Sequence, residues 1–421
     1  MENKEYKNKF WKGVLVGALV AAFAGLIVVG MATGIFLIGK TTMPNQSVTE
    51  RVGTSANAEK KDLDMDHIES KVGLIQQIID QYFLFDEDTQ KVEDGIYAGL
   101  MAGLEDPYSV YYSKESYKKL KENTTGVYYG IGVMVSQDRT TGVITVVKVF
   151  KDTPGFEAGM QPGDLLYKVE GEEVTGVDLD LVVSKYIKGA EGTKVKLTVL
   201  HPDSREYEDM EIERKKIETP TVEHRMMEDQ IGYIVVSQFD DVTPAQFKAA
   251  IDDLQQQGMK KMIVDLRSNP GGVLDSVVDM LDYVLPDGLL VYTADKDGKG
   301  DKYYSKDGHE VDLPMVVLVN GNSASASEVF AGAIRDFKWG KLVGTTTFGK
   351  GIVQNLMPLG DGTAVKLTVA HYFTPSGFDL HGKGLEPDVE VELNEELKTK
   401  AVIEPEEDNQ LQKAVEVLKS E

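Results

Sequence analysis

The chain has 421 residues, 42% of them hydrophobic, with a net charge of −24 and no cysteine. That length implies two or three domains with substantial cores. The acidity argues against nucleic acid, whose binding needs a basic patch, and the missing thiols exclude disulfides, cysteine nucleophiles and thiolate metal sites.

Residues 1–12 carry Lys4, Lys7, Lys9 and Lys12 ahead of an uncharged run from Gly13 to Gly39. As a helix that run is about 40 Å long, enough to cross a bilayer with tilt. A cleaved signal peptide has a shorter apolar region of about 7–15 residues. The basic flank should stay cytoplasmic. The expectation is therefore one transmembrane helix over 13–39 in the cell membrane, with the remainder extracytoplasmic. Residues 40–62 are polar, with Pro44, and read as a linker.

Residues 63–122 read as helical. Ile68, Val72, Ile75, Ile79 and Phe83 recur at helical spacing, and Val92, Ile96, Leu100 and Leu104 repeat it. Asp106-Pro107-Tyr108-Ser109 closes the second helix with a turn. Over 123–204 the period shortens to that of strands, with a helix expected near Leu179 to Ile187. Tyr129-Gly130-Ile131-Gly132 opens this β-rich module. Ala158-Gly159, Gly163-Asp164 and Gly171 follow. The module resembles a PDZ domain, in which the first glycine loop captures a peptide's terminal carboxylate. Consecutive backbone N–H groups in such a loop form an anion nest, and the adjoining strand edge accepts an extended peptide.

From 205 to 400 strands and helices alternate, which implies a layered α/β core. Strands are expected at Ile231–Val236, Met262–Leu266 and Met315–Val319, and helices at Pro244–Gln257, Val273–Leu285 and Ser325–Phe337. Residues 401–421 read as a short charged helix.

Three segments of the core carry chemistry. Asp265-Leu266-Arg267-Ser268-Asn269-Pro270-Gly271-Gly272 ends a buried strand in a sharp turn. Its N–H groups suit an oxyanion hole, although Pro-Gly-Gly also makes plain turns. Ser323-Ala324-Ser325-Ala326-Ser327-Glu328 starts a helix after the next strand. A serine there gains from the helix dipole, yet Ser325 and Glu328 also have capping-box spacing. Chemistry alone does not choose among Ser323, Ser325 and Ser327. Phe348-Gly349-Lys350-Gly351 sets a lone lysine in a tight apolar run, where burial could leave it neutral and able to act as a base. Gln354, four residues on, could orient its amine.

Together, behind a PDZ-like module, these segments resemble the carboxyl-terminal processing proteases, also called tail-specific proteases, over about residues 66–391. The resemblance implies a crotonase-like layered α/β serine protease core with an inserted PDZ domain. It implies Ser325 as nucleophile, Lys350 as general base and Gln354 as its orienting partner. Gly271, Gly272 and the Ala326 amide would form the oxyanion hole. Asp336 matches an acidic position that supports activity in part of the family, and Gly382 to Asp388 matches the closing motif. The implied partners are protein or peptide substrates with free, apolar C-termini, and a homodimer, since dimer formation through terminal helices occurs in relatives. No metal or cofactor is implied. Two other readings compete. A Ser–His–Asp hydrolase would use His371 or His381, but Ser325 lacks a Gly-x-Ser-x-Gly elbow. A catalytically silent, membrane-tethered peptide-binding scaffold would have lost the dyad.

Overall fold

A computed structural model describes residues 62–306, 308–400 and 403–420. The expected transmembrane segment 13–39 and most of the linker lie outside the described residues. Among the described residues no helix is long and apolar enough to cross a membrane. The chain divides into two units, one ending at Asp86 and the other running from Glu87. The boundary falls inside the stretch expected to be one helical part of the core.

In the first unit the helix Met65–Tyr82 is capped by Asp64, whose carboxylate accepts from the His67 N–H at 3.0 Å. Its stripe of Ile68, Leu74, Ile75 and Ile78 stays exposed, and none of its residues is buried.

Among its described residues the second unit has three large sheets and one two-stranded ribbon. The core sheet has six strands in the order Val222–Met226, Ile231–Val236, Lys261–Asp265, Met315–Val319, Lys341–Gly344 and Val389–Glu390. The first pair is antiparallel and the others parallel. Both faces are covered, so its central strands are apolar throughout. Ile234, Val236, Met262, Val264, Val317 and Val319 face the helices Thr243–Gln256, Leu274–Val284 and Ala326–Phe337. The alternate residues Tyr233, Ile263, Val316 and Leu318 face the C-terminal helix Asn409–Ser420 through Leu411, Ala414 and Leu418.

A second, antiparallel sheet joins Val110–Tyr112, Ala364–Phe373, Gly288–Asp295 and Lys302–Ser305, with Ile352–Pro358 also paired to Ala364–Phe373. The third is the sheet of the inserted module. Its order is Val133–Gln137, Ile144–Val149, Leu165–Val169, Lys194–His201 and Glu206–Glu213. The module therefore extends past the expected limit at 204. Glu206–Glu213 pairs along its whole length with Lys194–His201. A two-stranded ribbon, Val127–Gly130 with Lys215–Glu218, carries the chain into and out of the module.

Candidate active site

The turn after strand Lys261–Asp265 is braced by Asn269. Its side-chain amide donates to the Val236 carbonyl at 2.8 Å, and its amide oxygen accepts from the Gly271 N–H at 2.8 Å. Close approach explains both glycines. A Cβ on Gly271 would lie 2.8 Å from Ser325 Cβ, and one on Gly272 would lie 2.1 Å from the Phe239 carbonyl oxygen. Gly271 thus lies against the serine, but its own N–H is committed to Asn269. The N–H groups of Gly272 and Ala326 carry no hydrogen bond among the described residues.

The three serines separate by environment. Ser323 is fully buried and its hydroxyl donates to the Leu266 carbonyl at 2.7 Å. Ser327 is equally buried and donates to the Asn269 carbonyl at 2.9 Å. Both hydroxyls hold the glycine turn against the helix. Ser325 lines an open cleft and sits at φ 55°, ψ −115°. Such a backbone costs a non-glycine residue about 1–3 kcal/mol and persists only where its surroundings fix it.

Glu328 supplies much of that fixing. It is fully buried. Its carboxylate accepts from Ser325 N–H (2.9 Å), Thr347 Oγ1 (2.6 Å), Gly349 N–H (2.7 Å) and Lys350 N–H (2.8 Å). One side chain therefore joins the serine turn to the lysine loop. The capping-box spacing disclosed only the bond to Ser325, because the other donors arrive from a distant segment.

Lys350 is half-buried. Burial pulls its pKa below the ordinary lysine value, helped by the positive charge of Lys366, while Asp106 and Glu328 oppose the shift. Its ammonium nitrogen lies 4.5 Å from the centre of the Tyr108 ring. Tyr372 is buried and its hydroxyl donates to the Lys350 carbonyl. Sequence reasoning passed over Tyr108, Asp106, Lys366 and Tyr372. The Asp106–Ser109 turn carried only a helix-ending signal, and nothing in the sequence sets Lys366 and Tyr372 beside the lysine.

Ser325, Lys350, Gln354, Gly271, Gly272 and Ala326 all line one cleft of about 730 Å³. Gln354 makes its bonds elsewhere. Its amide donates to the Ile352 carbonyl (3.4 Å) and to Thr368 Oγ1 (3.3 Å). A break in strand register between Val353 and Gln354 interrupts the simple alternation that would aim it at the lysine. Asp336 lies outside the cleft lining. It accepts from Arg335 Nε at 3.1 Å and from the Ser376 N–H at 2.9 Å, tying the helix end to a turn. Burial pushes its carboxyl up, but hydrogen bonds from Thr374 and Ser376 and the Arg335 charge hold it below the ordinary value. His371 and His381 also lie outside the lining and meet each other edge to face at 5.3 Å.

In the inserted module Ile131 is buried in the core, and Gly132 has φ +78°. A Cβ on Gly132 would lie 2.3 Å from Thr153 Cβ. Tyr129 is exposed and Gly130 is buried. The next strand, Val133–Gln137, is an edge of its sheet.

Comparison with known proteins agrees with this architecture. Residues 230–391 match the family described as Peptidase family S41, residues 145–200 match the PDZ domain, and residues 27–116 match the activating protease CtpB N-terminal domain. A probable CtpA-like serine protease of Staphylococcus haemolyticus (strain JCSC1435) is 33% identical over 92% of this chain and 74% of its own. The carboxy-terminal processing protease CtpB of Bacillus subtilis (strain 168) is 33% identical over 82% of this chain and 71% of its own. A putative S41 protease from Bacteroides fragilis NCTC 9343 shares the fold with a TM-score of 0.50 at 16% identity, covering 80% of this chain and 93% of the other. The class defined is a serine protease whose α/β core carries an inserted PDZ domain. The chain belongs to peptidase family S41, among the carboxy-terminal processing proteases of CtpA and CtpB type.

Proposed function

We propose that the chain is a membrane-anchored, extracytoplasmic endopeptidase with a Ser325–Lys350 dyad that takes substrates by their free C-termini. The observation that carries this reading is the shared cleft of Ser325, Lys350 and the unbonded N–H groups of Gly272 and Ala326. Ser325 Oγ attacks the scissile carbonyl while neutral Lys350 takes its proton. The oxyanion forms against the Gly272 and Ala326 N–H groups, which replaces the trio expected from sequence with a pair. As the intermediate collapses, Lys350 returns the proton to the leaving amine. Water then attacks the ester with Lys350 as base again, releasing the new carboxylate and restoring Ser325. Gln354 would orient the amine after turning from its two long hydrogen bonds. Asp336 would support the helix that carries Ser325.

The PDZ loop Tyr129–Gly132 would hold a substrate carboxylate, with the tail added along the edge strand Val133–Gln137. The uncharged run 13–39 supports the anchor and the basic flank supports its orientation. The exposed apolar residues of the helix Met65–Tyr82, and Ile96 and Leu100 of Thr89–Ala102, support a homodimer built on N-terminal helices.

The test uses the purified full chain with an unfolded protein ending in an apolar residue, reading fragments by mass spectrometry. Wild type is expected to cleave, and Ser325→Ala and Lys350→Ala to lose at least about 10³-fold in rate. Cleavage surviving Ser325→Ala would overturn the choice of nucleophile.

A further inference from the structure

Behind the cleft a charged group at the far end of the chain reaches the oxyanion turn. Arg267 stands two residues before Asn269, the residue that braces Gly271. Its guanidinium forks onto Asp408, with Nη1 to Oδ1 at 3.0 Å and Nη2 to Oδ2 at 2.7 Å, and Nη1 also donates to Gln410 Oε1 at 3.0 Å. Its other side meets Asp265, with Nη2 to Oδ2 at 2.6 Å and Nε to Oδ1 at 3.0 Å. The Tyr233 hydroxyl completes the group by donating to Asp265 Oδ2 at 2.6 Å. Asp408 in turn accepts from the N–H groups of Gln410 (3.1 Å) and Leu411 (3.0 Å), so the same carboxylate caps the C-terminal helix. Asp265, Asp408 and Gln410 are buried, and the Arg267 side chain is nearly so.

The backbone changes sides between these contacts. Asp265 and Arg267 point to the face covered by the C-terminal helix. Leu266 packs in the core on the other face, where Asn269 bonds Val236. Ser268 between them has φ 58°. Asn320 holds this residue directly, accepting from the Ser268 N–H at 2.9 Å and donating to its hydroxyl at 3.2 Å, and the rest of the crossing is set by what holds its two ends. One end is the glycine turn, and the other is the Arg267 fork. We infer that Asp408 and Gln410 are positioning residues for the oxyanion turn, acting through Arg267, so that docking of the C-terminal helix sets the alignment of the Gly272 N–H. The planar guanidinium suits this task because two parallel bonds fix its orientation as well as its position.

The inference rests on the proposed Ser325 mechanism, and the experiment keeps the two apart. Wild type, Ser325→Ala, Asp408→Asn and Asp408→Glu are prepared as full chains. Each is assayed well below its unfolding temperature, with the folded fraction measured by circular dichroism. Asp408→Asn is expected to lower kcat about 10- to 100-fold per folded molecule, the scale of a misplaced catalytic group, with KM changed less than about two-fold. Asp408→Glu is expected to recover much of that loss. Amide hydrogen exchange over residues 268–272 should quicken in Asp408→Asn. Unchanged kcat per folded molecule with unchanged exchange would overturn the inference even if Ser325→Ala is dead. Full activity of Ser325→Ala would instead overturn the mechanism beneath it. If Asp408→Asn does not fold, Gln410→Ala, which removes an acceptor without a charge, carries the same test with an expected several-fold loss in kcat.

Discussion

The proposed mechanism needs Lys350 neutral beside the buried carboxylate of Glu328, an arrangement explained by the donors around that carboxylate. The carboxylate is met by two backbone N–H groups of the lysine loop, a threonine hydroxyl and the Ser325 N–H. These bonds answer much of its charge locally, while burial and Lys366 still lower the pKa of Lys350. The sign of the pH dependence follows. In the proposed mechanism Lys350 acts deprotonated, so kcat/KM should fall as pH drops through its depressed pKa and the amine takes a proton. Lys366→Met removes a like charge, which raises the pKa of Lys350. The acidic limb of the kcat/KM profile is therefore expected to move to higher pH, with the plateau nearly kept. A limb that stays in place, or moves to lower pH, would show that Lys366 does not tune the base.

Among the elements, the PDZ module makes a sharp prediction, because its loop and edge strand are independent of the catalytic turn in sequence. Gly132 cannot carry a side chain without displacing Thr153, whose hydroxyl donates to the Phe150 carbonyl at 2.6 Å and to the Gly132 carbonyl at 3.2 Å. Gly132→Val should weaken binding of an apolar C-terminal peptide at least about 10-fold, roughly 1.4 kcal/mol. It should leave cleavage of the same substrate with an amidated end near its already reduced level. Calorimetry for the tail and a paired cleavage assay measure the two effects. Equal losses on both substrates would assign Gly132 to stability alone. The parallel core strands were legible in the sequence because burial on both faces leaves short apolar runs such as Met315–Val319. The Glu206–Glu213 strand was not. Its only buried residues are Met210 and Ile212, and its strand character comes from pairing with Lys194–His201. Gly288–Asp295 and Lys302–Ser305 were missed because their pairing, with each other and of Gly288–Asp295 with Ala364–Phe373, is set by partners remote in sequence, although Leu290 and Val291 are buried. The site was legible as motifs but not as geometry. Nothing in Ser-Ala-Ser-Ala-Ser-Glu says that the outer serines bond buried carbonyls, or that its glutamate reaches Gly349 and Lys350.

In the second unit the PDZ module and the cleft are joined by very little chain. Asn123 and Thr124 belong to the cleft wall. Gly126 ends the helix Lys114–Thr125 at φ +66°, and the ribbon strand toward the loop Tyr129–Gly132 begins at Val127. Two bonds from later segments and one helix-capping bond hold this corner. Asp241 N–H donates to the Thr124 carbonyl at 3.1 Å, Thr219 N–H to the Gly126 carbonyl at 2.8 Å, and Gly126 N–H to the Glu122 carbonyl at 3.1 Å. A Cβ on Gly126 would lie 2.6 Å from Val242 Cγ2 and 3.1 Å from Asp240. Gly126→Ala must then shift the corner, adding left-handed strain to the steric conflict. Such a shift moves the loop Tyr129–Gly132, the proposed tail site, relative to Ser325 without touching either. A long substrate held at both sites should be cleaved about 10-fold more slowly, because its two anchoring points no longer match its span. A short peptide without a free carboxylate meets only the cleft and should be cleaved at close to the wild-type rate. Isolated tail binding should also be unchanged. Parallel loss for both substrates would place the damage in the cleft wall at Thr124, and no loss for either would mean that the corner adapts freely and does not set the distance between docking and cleavage.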